Sequence, residues 1–104
     1  NGDALEYADV SFKKDRKFIL EAVKQDGRNL QYADVILKKD REIVLEAVRQ
    51  NGDALEYADV SFKKDRKFIL EAVKQDSYAL HHADDSLKSD PEILAIFYNK
   101  DKLN

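Results

Sequence analysis

The chain has 104 residues, 38% of them charged, with a formal net charge of −3. That length suits one small domain, the near-neutral charge argues against an electrostatic nucleic-acid footprint, and the absence of Cys excludes disulfides and thiolate metal sites. The 29 Leu, Ile, Val and Phe residues lift the composition above that of a disordered chain. No apolar run approaches the ~18 residues of a membrane span and no signal peptide is recognisable, so a soluble protein of unassigned compartment is expected.

Internal repetition organises the chain. Residues 1–25 recur unchanged at 51–75, residues 26–50 match them at 15 of 25 positions, and residues 76–100 match at 7 of 25. Four units of 25 residues therefore fill a single domain over 1–104, leaving a tail at 101–104. One such unit cannot bury its own apolar faces, and stability must come from stacking. The fold expected is all-α: an α-solenoid of four helical hairpins, each a short first helix and a longer second one.

In chain order, Ala4, Leu5, Ala8 and Phe12 share one side of the first helical piece, as do Leu30, Ala33 and Leu37 in the second unit. Val10 falls out of phase with that stripe. Asp9, Asp34, Asp59 and Asp84 can each cap a fresh turn, which predicts a break or 3₁₀ turn near Asp9. Strand-like alternation appears only over Val10–Phe12, and the leucine-rich-repeat ladder is absent, so both alternatives are set aside. Asp15, Asp40, Asp65 and Asp90 are suited to cap the second helix, with Pro91 following the last of them at a position where a missing N–H costs nothing. Phe18, Ile19, Leu20, Ala22 and Val23 then cover roughly 200° of helix surface at ~100° per residue, wide enough to need neighbours on both sides. Leu45, in the middle of the array, is expected in the core. Gly27 and Gly52 read as left-handed residues ending the helices.

The recurring string A-L-E-Y-A-D…K-K-D-R-x-x-x-L-E-A-V-x-Q-[ND]-G resembles a family of tandem helical repeats of unknown function, whose pattern is D-R-E-V-V-L-x-A-V-x-x-N-G-x-A-L-x-Y-A-S. Leu30, Tyr32, Ala33, Asp40, Arg41, Leu45, Ala47 and Val48 sit on that pattern. The resemblance is strong over about three quarters of the chain and weak over residues 76–100, where His82 replaces Tyr7 and Ser77 replaces the Gly. It implies an all-helical repeat architecture and brings no activity. The chain starts at a unit boundary and contains no Met, which points to a fragment, a processed product or an assembled array. The fourth unit carries all three excess negative charges and reads as a C-terminal cap, with Ile96, Phe97 and Tyr98 closing the core or offering a docking patch.

Candidate sites are few. Lys13-Lys14, Lys38-Lys39 and Lys63-Lys64 recur at the unit period and would form a basic ladder able to hold phosphates or an acidic partner, although solvated helix ends are the plainer reading. Lys17, Glu21 and Lys24 mark the polar arc of the second helix. His81-His82 with Asp84-Asp85 is the only metal-capable cluster, and adjacent helical residues point too far apart to share an ion, so no metal or cofactor is expected. Tyr7, Tyr32 and Tyr57 are read as packing between hairpins rather than lining a groove. The carboxylates repeat in register, whereas an active site needs a unique, asymmetric constellation. The expectation is a non-enzymatic protein-interaction module with an unknown protein partner. The alternative is a structural spacer that self-associates end to end through its terminal units, and nucleic-acid binding through the lysines is the minor reading.

Overall fold

The computed structural model describes residues 10–103, with side chains over 10–99. The expectations for Ala4, Leu5, Tyr7, Ala8 and Asp9 lie outside the described residues. Every regular element among the described residues is helical: α1 (Val10–Lys13), α2 (Arg16–Gln25), 3₁₀ segments Gly27–Tyr32 and Leu37–Lys39, α3 (Arg41–Gln50), 3₁₀ segment Gly52–Tyr57, α4 (Val60–Lys63), α5 (Arg66–Gln75), 3₁₀ segment Ser77–His82, α6 (Asp85–Lys88) and α7 (Pro91–Leu103).

The long helices begin where the aspartates predict. Asp15, Asp40, Asp65 and Asp90 each accept a hydrogen bond from the backbone N–H three residues on, at Phe18, Ile43, Phe68 and Ile93, filling one of the donors a helix start leaves open. The first piece differs from a short α-helix. It is a six-residue 3₁₀ segment, then an extended residue at Ala33, Ala58 or Ala83, then a separate short turn or helix. The reason is the spacing of the small and apolar residues. With three residues per 3₁₀ turn, positions i and i+3 eclipse, and Gly27, Leu30 and Ala33 are all buried, as are Gly52, Leu55 and Ala58. The break is capped as expected: Asp34, Asp59 and Asp84 accept from the N–H groups of Ile36, Ser61 and Ser86. The N–H of each of these aspartates crosses to the preceding unit, to the carbonyls of Lys13, Lys38 and Lys63 at 2.9–3.0 Å.

The glycine expectation is overturned. No described glycine has positive φ, and the helices end at extended residues, Asp26, Asn51 and Asp76. Gly27 is required for close approach instead: a Cβ there would lie 2.2 Å from the Ala47 carbonyl oxygen. At Gly52 a Cβ would sit 2.8 Å from the Ala79 nitrogen, and the Gly52 N–H donates to Asp76 Oδ2 at 2.7 Å. In the fourth unit Ser77 takes the glycine position, and α7 runs on through residue 101, where the counterpart helices have ended.

The long helices lie side by side in chain order, with the 3₁₀ segments stacked along them as a second layer, in a molecule of 43 × 27 × 17 Å. Between the layers lie Ile19 and Val23 of α2, Ile43, Val44, Ala47 and Val48 of α3, Phe68, Ile69, Ala72 and Val73 of α5, and Ile93 of α7, against Leu30, Ala54, Leu55, Ala79 and Leu80. The wide apolar face of α3 serves neighbours on both flanks, α2 and α5. Leu45 is corrected from core to half-buried, because α3 turns Ile43, Val44, Ala47 and Val48 inward and leaves position 45 at the margin. Ile43→Ala is expected to cost ~2–5 kcal/mol in urea unfolding and Leu45→Ala clearly less. Gly27→Ala should cost ~1–3 kcal/mol, the overpacking range, since a backbone carbonyl cannot swing aside as a side chain can.

Candidate interaction surface

The turns that join the two layers form one long edge, built from α1, residues 34–39, α4 and α6. Its lysines divide into two columns. Lys13, Lys38 and Lys63 are half-buried against the molecule, and Lys63 Nζ donates to the Glu56 carbonyl at 3.0 Å. Lys14, Lys39 and Lys64 are exposed. Asp59 and Asp84 stand beside the second column. Hydrogen bonds from Ser61 and Ser86 hold their carboxyls below the usual range, with Lys39 and Lys64 adding smaller electrostatic contributions. The expected ladder thus shrinks to one exposed lysine per unit, partly balanced by the next unit's cap.

Sequence reasoning missed the apolar residues on this edge. Val10, Val35, Ile36 and Val60 are 59–72% exposed. Each Val precedes its exposed lysine by four residues, a helical-neighbour spacing at α1 and α4, whereas Val35 and Lys39 span a turn and the 3₁₀ segment Leu37–Lys39. Val10–Lys14, Val35–Lys39 and Val60–Lys64 therefore recur as an apolar–cationic couple, and in the fourth unit both members change together, to Asp85 and Ser89. The signal in the sequence is Val10 falling outside the core phase.

On the outer face of the long helices, Lys17, Glu21 and Lys24 are exposed, and Glu21 pairs with Lys24 at 3.5 Å rather than with Lys17. Ion pairs between units dominate this face. Arg16 Nε donates to Asp40 Oδ2 at 2.7 Å and its Nη2 reaches Glu42. Arg66 repeats the arrangement on Asp90 at 2.6 Å and Glu92 at 2.7 Å. Arg41 cannot, because Lys67 stands where Glu42 and Glu92 stand. It turns to Glu71 and lies 5.7 Å over the Phe68 ring. These guanidiniums lower the carboxyls of Asp40 and Asp90 from the ordinary range, chiefly by direct hydrogen bonding.

The remaining candidates are packed apart. His82 Nε2 meets Asp53 Oδ1 at 3.0 Å, whereas exposed His81 lies against the Tyr78 and Phe97 rings. Asp85 pairs with Lys88 at 3.4 Å. Among the described residues, no three His, Cys, Asp or Glu side chains are grouped for a metal ion. Tyr32 and Tyr57 are half-buried and pack on the core. No helix among the described residues is long and apolar enough to cross a membrane.

A family model described as domain of unknown function (DUF4116) matches residues 1–38, 15–63 and 65–103. The chain belongs to this family. No curated protein and no solved structure matches the chain significantly. The second and third matches begin at the helix caps Asp15 and Asp65. Each encloses a complete clamp of one Arg on an Asp and a Glu, while the Arg41–Glu71 pair joins the two.

The clamps make stability acid-sensitive with a definite sign. Because folding lowers the pKa of Asp40 and Asp90, their contribution is present above the unfolded carboxylate value of about 4 and is lost as pH falls through the folded value. Arg66→Gln is expected to be less stable than the parent at pH 7, the gap closing as the pH falls below about 4. Urea midpoints at stepped pH check this, and a pH-independent gap would remove Asp90 from the account.

Proposed function

We propose that this chain is a non-enzymatic interaction module, a single α-solenoid of four units that presents its turn edge to a protein partner. The observation that carries the reading is the coupled column Val10–Lys14, Val35–Lys39 and Val60–Lys64, exposed on one edge and ended by Asp85 and Ser89. Apolar side chains left in water beside cations suit a polypeptide segment that carries acidic and apolar residues in alternation. The ladder residues Lys13, Lys38 and Lys63 are half-buried beside the column in sequence, and Lys17, Glu21 and Lys24 belong to the long helix α2. Fold-level analogy adds that stacked helical arrays offer extended surfaces.

The second reading, a spacer that associates end to end, draws on exposed Phe12 and Phe18 at one end. Against it, Pro91 at the other end occupies the position of Arg16, Arg41 and Arg66.

A display library of short peptides rich in Glu, Asp and Leu is the direct probe. Peptides selected on the parent chain should bind Val35→Asp/Lys39→Glu at least tenfold more weakly, with a flatter salt dependence, while Lys17→Glu binds as before. Equal binding by the edge variant would exclude the column. Firm retention on heparin at modest salt would move the reading to polyanions.

A further inference from the structure

Units one and three have the same sequence and different surroundings. Phe68 is 1% exposed, beneath Arg41 and 4.6 Å from the Phe62 ring, whereas its counterpart Phe18 is 39% exposed and lies 5.2 Å from the ring of Phe12, itself 49% exposed. Ala72 is fully buried and Ala22 half-buried. Glu71 takes Arg41, and its counterpart Glu21 takes the nearby Lys24 within its own helix. The difference is the second unit, which lies against the third through α3 and the Gly27–Tyr32 segment.

From this identity we infer that the face formed by Phe12, Phe18, Glu21 and Ala22 is a docking surface for a helical unit of the same kind as residues 26–50, one that carries Arg at the Arg41 position. In the third unit the counterparts Phe68 and Glu71 both meet Arg41 of the second, Ala72 is fully buried, and Phe62 packs on Phe68. The face therefore continues an interface present in this molecule, with an acid placed for the incoming guanidinium and a ring for it to lie over. A second copy of this chain is a poor occupant, because its fourth unit offers Pro91 in place of that Arg and Ser77 in place of Gly. The inference concerns the end of the stack and does not rest on the turn-edge reading.

The test joins an extra copy of residues 26–50 ahead of Asn1, which reproduces the native Gln50–Asn51 junction because Asn1 begins the same 25-residue string. In the parent chain, Phe18→Leu should lower the melting temperature by less than half as much as Phe68→Leu. In the extended chain the two losses should become equal, and amide exchange over residues 19–23 should slow at least tenfold. Changing the Arg of the added copy that corresponds to Arg41 to Gln should return part of the Phe18 difference. A Phe18→Leu loss unchanged by the extension would overturn the inference, whether the added unit is helical or unfolded by circular dichroism. So would light scattering that shows the parent chain assembling through Phe18, which would assign the face to a second copy.

Discussion

The fold depends on how closely the 3₁₀ segments approach the ends of the long helices. At Gly27 the backbone lies so near the Ala47 carbonyl that no side chain fits, and Gly52 comes close, though less tightly, against the start of the next segment. This approach brings the Leu30 and Leu55 side chains into the space between layers, where they meet the inward faces of α2, α3 and α5. A 25-residue piece has too little apolar surface to hold itself together. The close contact lets each piece complete its neighbour. In the fourth unit Ser77 stands at the glycine position, and α7 extends past the point where α2, α3 and α5 end.

Around this packing, the polar groups keep successive pieces in register. The aspartate N–H that donates to the lysine carbonyl of the preceding unit does so three times in the same geometry, and it satisfies a backbone group that the break between 3₁₀ segment and short helix would otherwise leave open. The arginines act differently at alternate joints. Where the next helix opens Asp-x-Glu, the guanidinium bridges both acids. Where it opens Asp65-Arg66-Lys67, the guanidinium swings to Glu71 and covers Phe68. Among the described residues the Asp-and-Glu clamp is thus made twice, by Arg16 and Arg66, 50 residues apart, with the single Arg41–Glu71 joint between them.

Much of this was legible in the sequence. Asp15, Asp40, Asp65 and Asp90 were readable as caps because a short acceptor ahead of an apolar run has one strong use. The break at Asp34, Asp59 and Asp84 was readable for the same reason. The exposed valines were half legible: Val10 was visibly out of phase, yet an out-of-phase valine has no meaning until the partner stripe is placed. Gly27 was misread because a glycine after a helix has two uses, positive φ and close approach, and a single sequence does not separate them. Leu45 was misread because a broad apolar face does not reveal which of its margins the neighbours leave uncovered.

By itself the sequence determined an all-helical chain of 25-residue units, their caps and the distinct character of the last unit, since these follow from local hydrogen bonding and from periodicity along one segment. Only the tertiary structure decided which lysines are free, which arginine meets which acid, and why identical residues such as Phe18 and Phe68 differ in burial. The physical reason is that burial and ion pairing belong to the space between units, and a residue's neighbours there lie about 25 positions away along the chain.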